Sequence, residues 1–207
     1  IALVQFRGQA MQRAVPAGTG AMAAILGLED AVIEAACAAS AQGEIVQAVN
    51  YNSPGQLVIA GHAAAVARAI EACKAQGAKR ALLLPVSVPA HSALMQPAAE
   101  EMRARLRDLD IRAPRIRVQA FDGGQHDSAD AIRNGLYRQL FNPVRWSAIV
   151  AAMIGAGATH LFECGPGKVL MGLARRAPGG RERALAAIDS PESLEAALAA
   201  AGGSEDT

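Results

Sequence analysis

Between Gly18 and Ser87 the spacing of apolar residues alternates between the two-residue repeat of a strand and the 3.6-residue repeat of a helix, which restricts the fold more than any other feature. Strands are expected over 20–26, 44–51, 56–61 and 79–84, and helices over 29–41 and 63–76. The two middle strands are joined by Asn52-Ser53-Pro54-Gly55, whose residue types make a turn. Asp30 falls in the first turn of its helix, where an acid is favoured by the helix dipole. The order is β-α-β-β-α-β, that of a ferredoxin-like unit.

The flanks read differently. Leu3, Arg7 and Met11 lie on one helix face beside Phe6, Ala10 and Ala14, and the pattern stops before Pro16-Ala17-Gly18. Arg7 therefore sits on a mostly apolar stripe and must either extend its head to water or meet an anion. The chain opens inside this helical pattern without a capping residue, so it reads as the later part of something longer.

Beyond Ser87, Pro97 suits the first turn of a helix that carries Met102, Leu106 and Leu109 inward and Glu100, Arg103, Arg105 and Arg107 outward. A short strand is expected over 115–120, a polar loop over 123–128, and helices over 129–140 and 144–155. A buried strand over 159–164 is followed by the turn Gly165-Pro166-Gly167 and a helix over 168–176. Strand, turn and helix in that order imply an α/β layer with a parallel sheet. The tail from Gly202 onward is polar and expected to fray.

Composition removes several function classes. The formal net charge is +1, the charges are scattered, and one Trp, two Tyr and four Phe supply no basic-aromatic surface, so nucleic acid is not expected as a partner. No apolar run approaches the roughly 20 residues of a membrane span, and no basic-then-apolar leader opens the sequence, so a soluble cytoplasmic protein is expected. Cys37, Cys73 and Cys164 are odd in number and set in apolar runs, which predicts three reduced core thiols.

His91, in Val88-Pro89-Ala90-His91-Ser92-Ala93-Leu94-Met95, has no second His, Cys or carboxylate at ligand spacing, so no metal is expected. Two readings stand, a catalytic base or a satisfied core imidazole. An acyl-transfer base further requires a nucleophile and an orienting acceptor. For His62, His126 and His160 the sequence identifies no partner.

Six segments in order carry a resemblance: Arg7-Gly8; residues 18–25; residues 50–61; the His91 segment; Gln139-Leu140-Phe141-Asn142-Pro143-Val144-Arg145-Trp146; and Glu163-Cys164-Gly165-Pro166-Gly167-Lys168-Val169-Leu170. Together, over nearly the whole chain, they resemble the malonyl-CoA:acyl-carrier-protein transacylase family. The resemblance implies an α/β fold: an α/β-hydrolase-like large domain over 1–17 and 88–207, incomplete at its N-terminal side, interrupted by the ferredoxin-like small domain over 18–87. It implies transfer of malonyl from malonyl-CoA to an active-site Ser and then to the phosphopantetheine thiol of acyl carrier protein, in fatty acid biosynthesis. Coenzyme A enters as a thioester substrate, no cofactor is implied, and a monomer is expected.

Carried over by residue, the resemblance makes His91 the base, Arg7 the clamp on the malonyl carboxylate, and the backbone carbonyl of Gln139 the acceptor that orients the imidazole. Asn50 and Asn52 are possible supports of the site, although both are ordinary turn residues by type. Two departures stand out. The family's nucleophile sits in a Gly-His-Ser-x-Gly elbow upstream of the Arg, with an oxyanion hole beside it, and no G-x-S-x-G occurs in these 207 residues. Ser92 is no substitute, because adjacent residues direct their side chains apart. Where the family commonly carries Asn before its late strand turn, Gln119-Ala120 stand here.

Alternatives remain open from sequence. An acyltransferase domain of a polyketide synthase is one, although Val88-Pro89-Ala90-His91 fits the stand-alone enzyme better. A non-catalytic fragment that binds a carrier protein is another. Gly165-Pro166-Gly167 is satisfied by plain turn chemistry.

Overall fold

The computed structural model describes residues 1–86 and 88–202. Ser87, the expected small-domain boundary, and the polar tail over 203–207 lie outside the described residues. The chain divides into two compact units, Ile1–Trp146 and Ser147–Thr207.

In the first unit, helix α1 (Ala2–Ala14) precedes β1 (Gly20–Leu26), α2 (Asp30–Ala41), β2 (Val46–Ser53), β3 (Gln56–His62), α3 (Ala63–Ala75) and β4 (Arg80–Leu83). The four strands form one sheet in the order β2-β3-β1-β4, every neighbouring pair antiparallel. Strand period explains why the apolar runs are nearly continuous. Ala21, Ala23 and Ile25 of β1 and Leu57 and Ile59 of β3 pack with Ile33, Cys37, Val66 and Ala69 of the two helices, while Met22, Val58 and Ala60 point to the opposite face and pack near Ala90. Both faces are covered, so alternation in polarity is lost.

The β2–β3 hairpin turns on Pro54 and Gly55, with Ser53 paired to Gln56 and Gly55 at φ 70°. Proline sets the first central φ and glycine accepts the positive second one. Strand β2 begins and ends two residues later than the sequence suggests, and its pairing with β3 is irregular at Ala48/Asn50 and Tyr51/Ser53. Its outer edge is not bare. Tyr51 N–H donates to the Val144 carbonyl at 2.9 Å and Val144 N–H to the Val49 carbonyl at 2.9 Å. That pairing explains why the helix expected from 144 begins at Trp146, as α6 (Trp146–Gly155).

A second core in this unit is built from α1, from α4 (Gln96–Arg107) and from Leu140: Ala10, Met11, Met95, Ala98, Ala99, Met102 and Leu106 are buried together. Met102 and Leu106 point inward as their spacing requires, and Glu100, Arg103, Arg105 and Arg107 are exposed. The strand expected over 115–120 shrinks to β5 (Val118–Gln119), and the expected polar loop contains its partner β6 (Gln125–His126). Gly123 at φ 92° and Gly124 N–H on Asp122 Oδ1 close that hairpin, a local arrangement that composition alone does not signal. Helix α5 (Ala129–Arg138) is capped by Ser128, whose hydroxyl accepts from Ala131 N–H at 3.1 Å. It ends two residues earlier than its apolar spacing suggests, with Asn142 Nδ2 donating to the Arg138 carbonyl.

In the second unit, β7 (His160–Cys164) and β8 (Ala184–Ile188) pair in parallel, His160 with Ala184 through Cys164 with Ile188, and α7 (Val169–Ala174) lies between them in sequence. The parallel pairing expected from the strand-turn-helix order is present. Burial of β7 is not: its first four residues are half-buried, and Cys164 is exposed, because the strand pairs on one side only among the described residues and Cys164 is its last residue before the Gly165 turn. Cys37 and Cys73 are buried as expected, and burial pushes the Cys37 thiol up to about 12. Strand β8 and helix α8 (Pro191–Gly202) were not anticipated. The helix start was legible, with Ser190 ahead of Pro191 and Glu192.

Candidate functional site

His91 stands in the loop between β4 and a single 3₁₀ turn, Ala93–Met95, and its backbone is left-handed, at φ 64°. For a residue with a Cβ this conformation costs about 1–2 kcal/mol and persists only where surroundings impose it. The surroundings are specific. His91 N–H donates to the Leu140 carbonyl at 3.0 Å, and Leu140 is fully buried in the core shared with α1 and α4. Before His91, Pro89 is fully buried; a Cβ on Gly20 would lie 2.5 Å from its Cδ, so the glycine that opens β1 is what allows the loop to seat there. After His91, Ala93 N–H donates to Gln47 Oε1 at 2.8 Å.

Fixing the backbone fixes the ring. His91 Nδ1 lies 2.6 Å from the backbone oxygen of Gln139, the residue that ends α5. A carbonyl only accepts, so Nδ1 carries the proton and donates; Nε2 then holds the lone pair in the neutral ring. Burial lowers the His91 pKa from its ordinary value; the Gln139 carbonyl opposes that shift, and the nearby Arg7 charge adds to it. The result near neutral pH is an uncharged imidazole with a defined basic nitrogen.

Arg7 is half-buried on α1, between the turns that carry Leu3, Phe6, Ala10 and Met11 into the second core. Burial draws its guanidinium pKa down. Among the described residues no carboxylate pairs with it, in contrast to Arg13 on the same helix, which meets Glu101 at 2.6 Å. A half-buried cation without a counter-ion suits recognition of an anion, bidentate where the anion is a carboxylate.

Arg7, His91 and Gln139 therefore belong to one neighbourhood although 132 positions of sequence separate the first from the last. Asn50 and Asn52 lie in β2, half-buried, and among the described residues no hydrogen bond joins either to Arg7 or His91. Ser92 is fully buried, and its hydroxyl donates to the Pro89 carbonyl at 2.7 Å. That bond holds the loop and commits the hydroxyl elsewhere, in accord with its exclusion as nucleophile. The other histidines acquire partners that the sequence did not disclose: His62 Nδ1 accepts from Ile45 N–H at 2.9 Å, His160 Nδ1 lies 2.9 Å from Thr159 Oγ1, and the His126 ring fills the space that a Cβ on Gly135 would need. No group of three metal-ligating side chains occurs among the described residues.

If the carbonyl of Gln139 is what orients the ring, its side chain is dispensable. Gln139→Ala is expected to leave the chemistry of the site within a few-fold of the parent in steady-state assay, and a loss near 10³-fold would show that the amide side chain is used.

Residues 1–171 match the acyl transferase domain family. Among curated proteins, the malonyl CoA-acyl carrier protein transacylase of Escherichia coli K12 is 52% identical over 199 residues, covering 96% of this chain and 64% of that protein. The crystal structure of an acyl carrier protein S-malonyltransferase from Vibrio cholerae superposes with a TM-score of 0.91 at 52% identity, covering 94% of this chain and 63% of the other. A malonyl-transacylase solved in complex with a type II polyketide acyl carrier protein gives a TM-score of 0.92 at 49% identity, over 96% and 64% of the two chains. The chain thus spans just under two thirds of the length of the relatives it resembles.

Proposed function

This chain belongs to the acyl transferase domain family, and from that membership we propose that it supplies the base and the carboxylate clamp of a malonyl-CoA:acyl-carrier-protein transacylase of fatty acid biosynthesis. The observation that carries the reading is the 2.6 Å contact between His91 Nδ1 and the Gln139 carbonyl, which leaves Nε2 as the basic atom beside Arg7.

In the proposed reaction a Ser hydroxyl, outside these 207 residues, loses its proton to His91 Nε2 as its oxygen attacks the thioester carbon of malonyl-CoA. The carbon–sulfur bond breaks, the coenzyme A sulfur takes the proton back from Nε2, and malonyl remains as a Ser ester. The carrier protein's phosphopantetheine thiol then gives its proton to the same nitrogen and attacks the ester, and the released Ser oxygen recovers that proton. Each half-reaction passes through an imidazolium, which the Gln139 carbonyl stabilises as an acceptor without contributing a buried negative charge. Arg7 holds the free malonyl carboxylate through both steps, its planar fork fixing the acyl group against rotation.

The same reading takes residues 18–87 as a ferredoxin-like domain, inserted in an α/β-hydrolase-like domain formed by 1–17 and 88–207. The β2-β3-β1-β4 order of the antiparallel sheet supports the first part. Asn50 and Asn52 keep the role of outer supports. We extend the reading to a monomer that works in the cytoplasm.

Substrate choice tests it. In the intact protein Arg7→Ala is expected to lower malonyl transfer by roughly 2–4 kcal/mol in transition-state terms, while acetyl transfer, which presents no carboxylate, holds or rises. Measured kcat/KM with malonyl-CoA and acetyl-CoA in parallel decides; equal losses on both would make Arg7 structural and overturn the clamp.

A further inference from the structure

The second unit carries a feature to which none of the acyl-transfer steps above assigns a role. Arg175, Arg176, Arg181 and Arg183 line, with Leu185, a single cavity of about 360 Å³. Arg175 ends α7, Arg181 lies in the 3₁₀ turn Gly180–Glu182, and Arg183 immediately precedes β8. The local backbone forces them together: Gly179 is left-handed at φ 74°, and a Cβ on Gly180 would lie 1.9 Å from the Ala174 carbonyl, so the chain between α7 and β8 folds back tightly.

Like charges gathered this way repel unless an anion or a carboxylate intervenes. Arg175, Arg181 and Arg183 pair with no carboxylate among the described residues, although Glu182 lies in the same turn. Arg183 Nε is buried and meets no acceptor among the described residues. A buried guanidinium N–H without a partner is rare, because its hydration is lost without replacement. Arg175 has a sufficient explanation in the helix dipole; Arg181 and Arg183 do not.

We propose that this cavity binds a phosphate-bearing small molecule, a phosphomonoester or diphosphate, held by bidentate guanidinium contacts. Phosphate chemistry fits better than a carboxylate, since its tetrahedral oxygens can engage several forks at once. The source is either a free phosphate compound or the phosphates of a coenzyme A; the site lies wholly within the second unit and does not depend on the transacylase reading.

Calorimetric titration of the intact protein with inorganic pyrophosphate, and separately with adenosine 3′,5′-bisphosphate, tests the assignment. Saturable binding is expected, weakening at least tenfold in Arg181→Ala and in Arg175→Ala/Arg181→Ala, whose side chains are exposed and removable without disturbing the core. His91→Ala is expected to bind as the parent does, which separates this site from the proposed active site. Tighter binding of the bisphosphate than of pyrophosphate would identify coenzyme A as the source, and the reverse a free phosphate compound. Absence of saturable binding to either probe, or binding unchanged in both Arg variants, would overturn the proposal.

Discussion

Replacing His91 by Ala in the intact protein is expected to lower malonyl transfer by about 10³-fold or more, near the middle of the range for loss of a general base and about 4 kcal/mol in transition-state terms. The size follows from one nitrogen serving both half-reactions. His91→Ala removes the acceptor for the Ser proton and, later, for the carrier thiol proton, and the left-handed backbone at this position offers the new side chain nothing in return. Alanine keeps the Cβ and so the same backbone strain, while the bond from the residue-91 N–H to the Leu140 carbonyl is retained, so a thermal melt should show a folded variant. Turnover within tenfold of the parent would remove His91 from the mechanism.

A polypeptide of these 207 residues alone is expected to show no malonyl transfer. The sequence holds no G-x-S-x-G, and Ser92, next to the base in sequence, is buried and bonded to the Pro89 carbonyl. Large apolar side chains stand in water: Val4 of α1, Leu82 and Leu83 of edge strand β4, Val169 of α7 and Leu198 of α8 are each more than half exposed. Such a surface favours self-association and dye binding. Malonyl transfer to a carrier protein by a preparation of confirmed 207-residue mass would show that the nucleophile lies within this chain and that its location has been misjudged.

Much of the first unit was legible because its elements are long and strongly periodic. The strand over 20–26 matches β1 at both ends, and the Pro54-Gly55 turn carries its own conformational signal. What escaped depended on partners remote in sequence. Neither composition nor spacing announces that Val144 will pair with the β2 edge, that a two-residue β6 will close on β5, or that Ala-rich 184–188 will find β7. At the site the resemblance named Arg7, His91 and the Gln139 carbonyl, while spacing alone did not bring them together. That Arg7 and His91 approach each other follows from the packing of α1 against α4 and Leu140, and the tautomer of His91 follows from a carbonyl 48 residues away. The exposure of Cys164 had no local signal, since Leu161, Phe162 and Cys164 read as a strand whichever face is finally covered.

The state of the His91 ring is the most direct test of the account. Nitrogen-15 spectra of the histidine side chains in the intact protein, assigned with His91→Ala, are expected to show at pH 7 a protonated Nδ1 and an unprotonated Nε2, with a titration midpoint below that of free imidazole. The sign is fixed by burial and the Arg7 charge, both of which disfavour the imidazolium, so kcat/KM for malonyl transfer should stay level through mildly acidic pH and fall only as pH drops through that lowered midpoint. A ring protonated at Nε2 in its neutral form, or charged at pH 7, would contradict the assignment of His91 as the base.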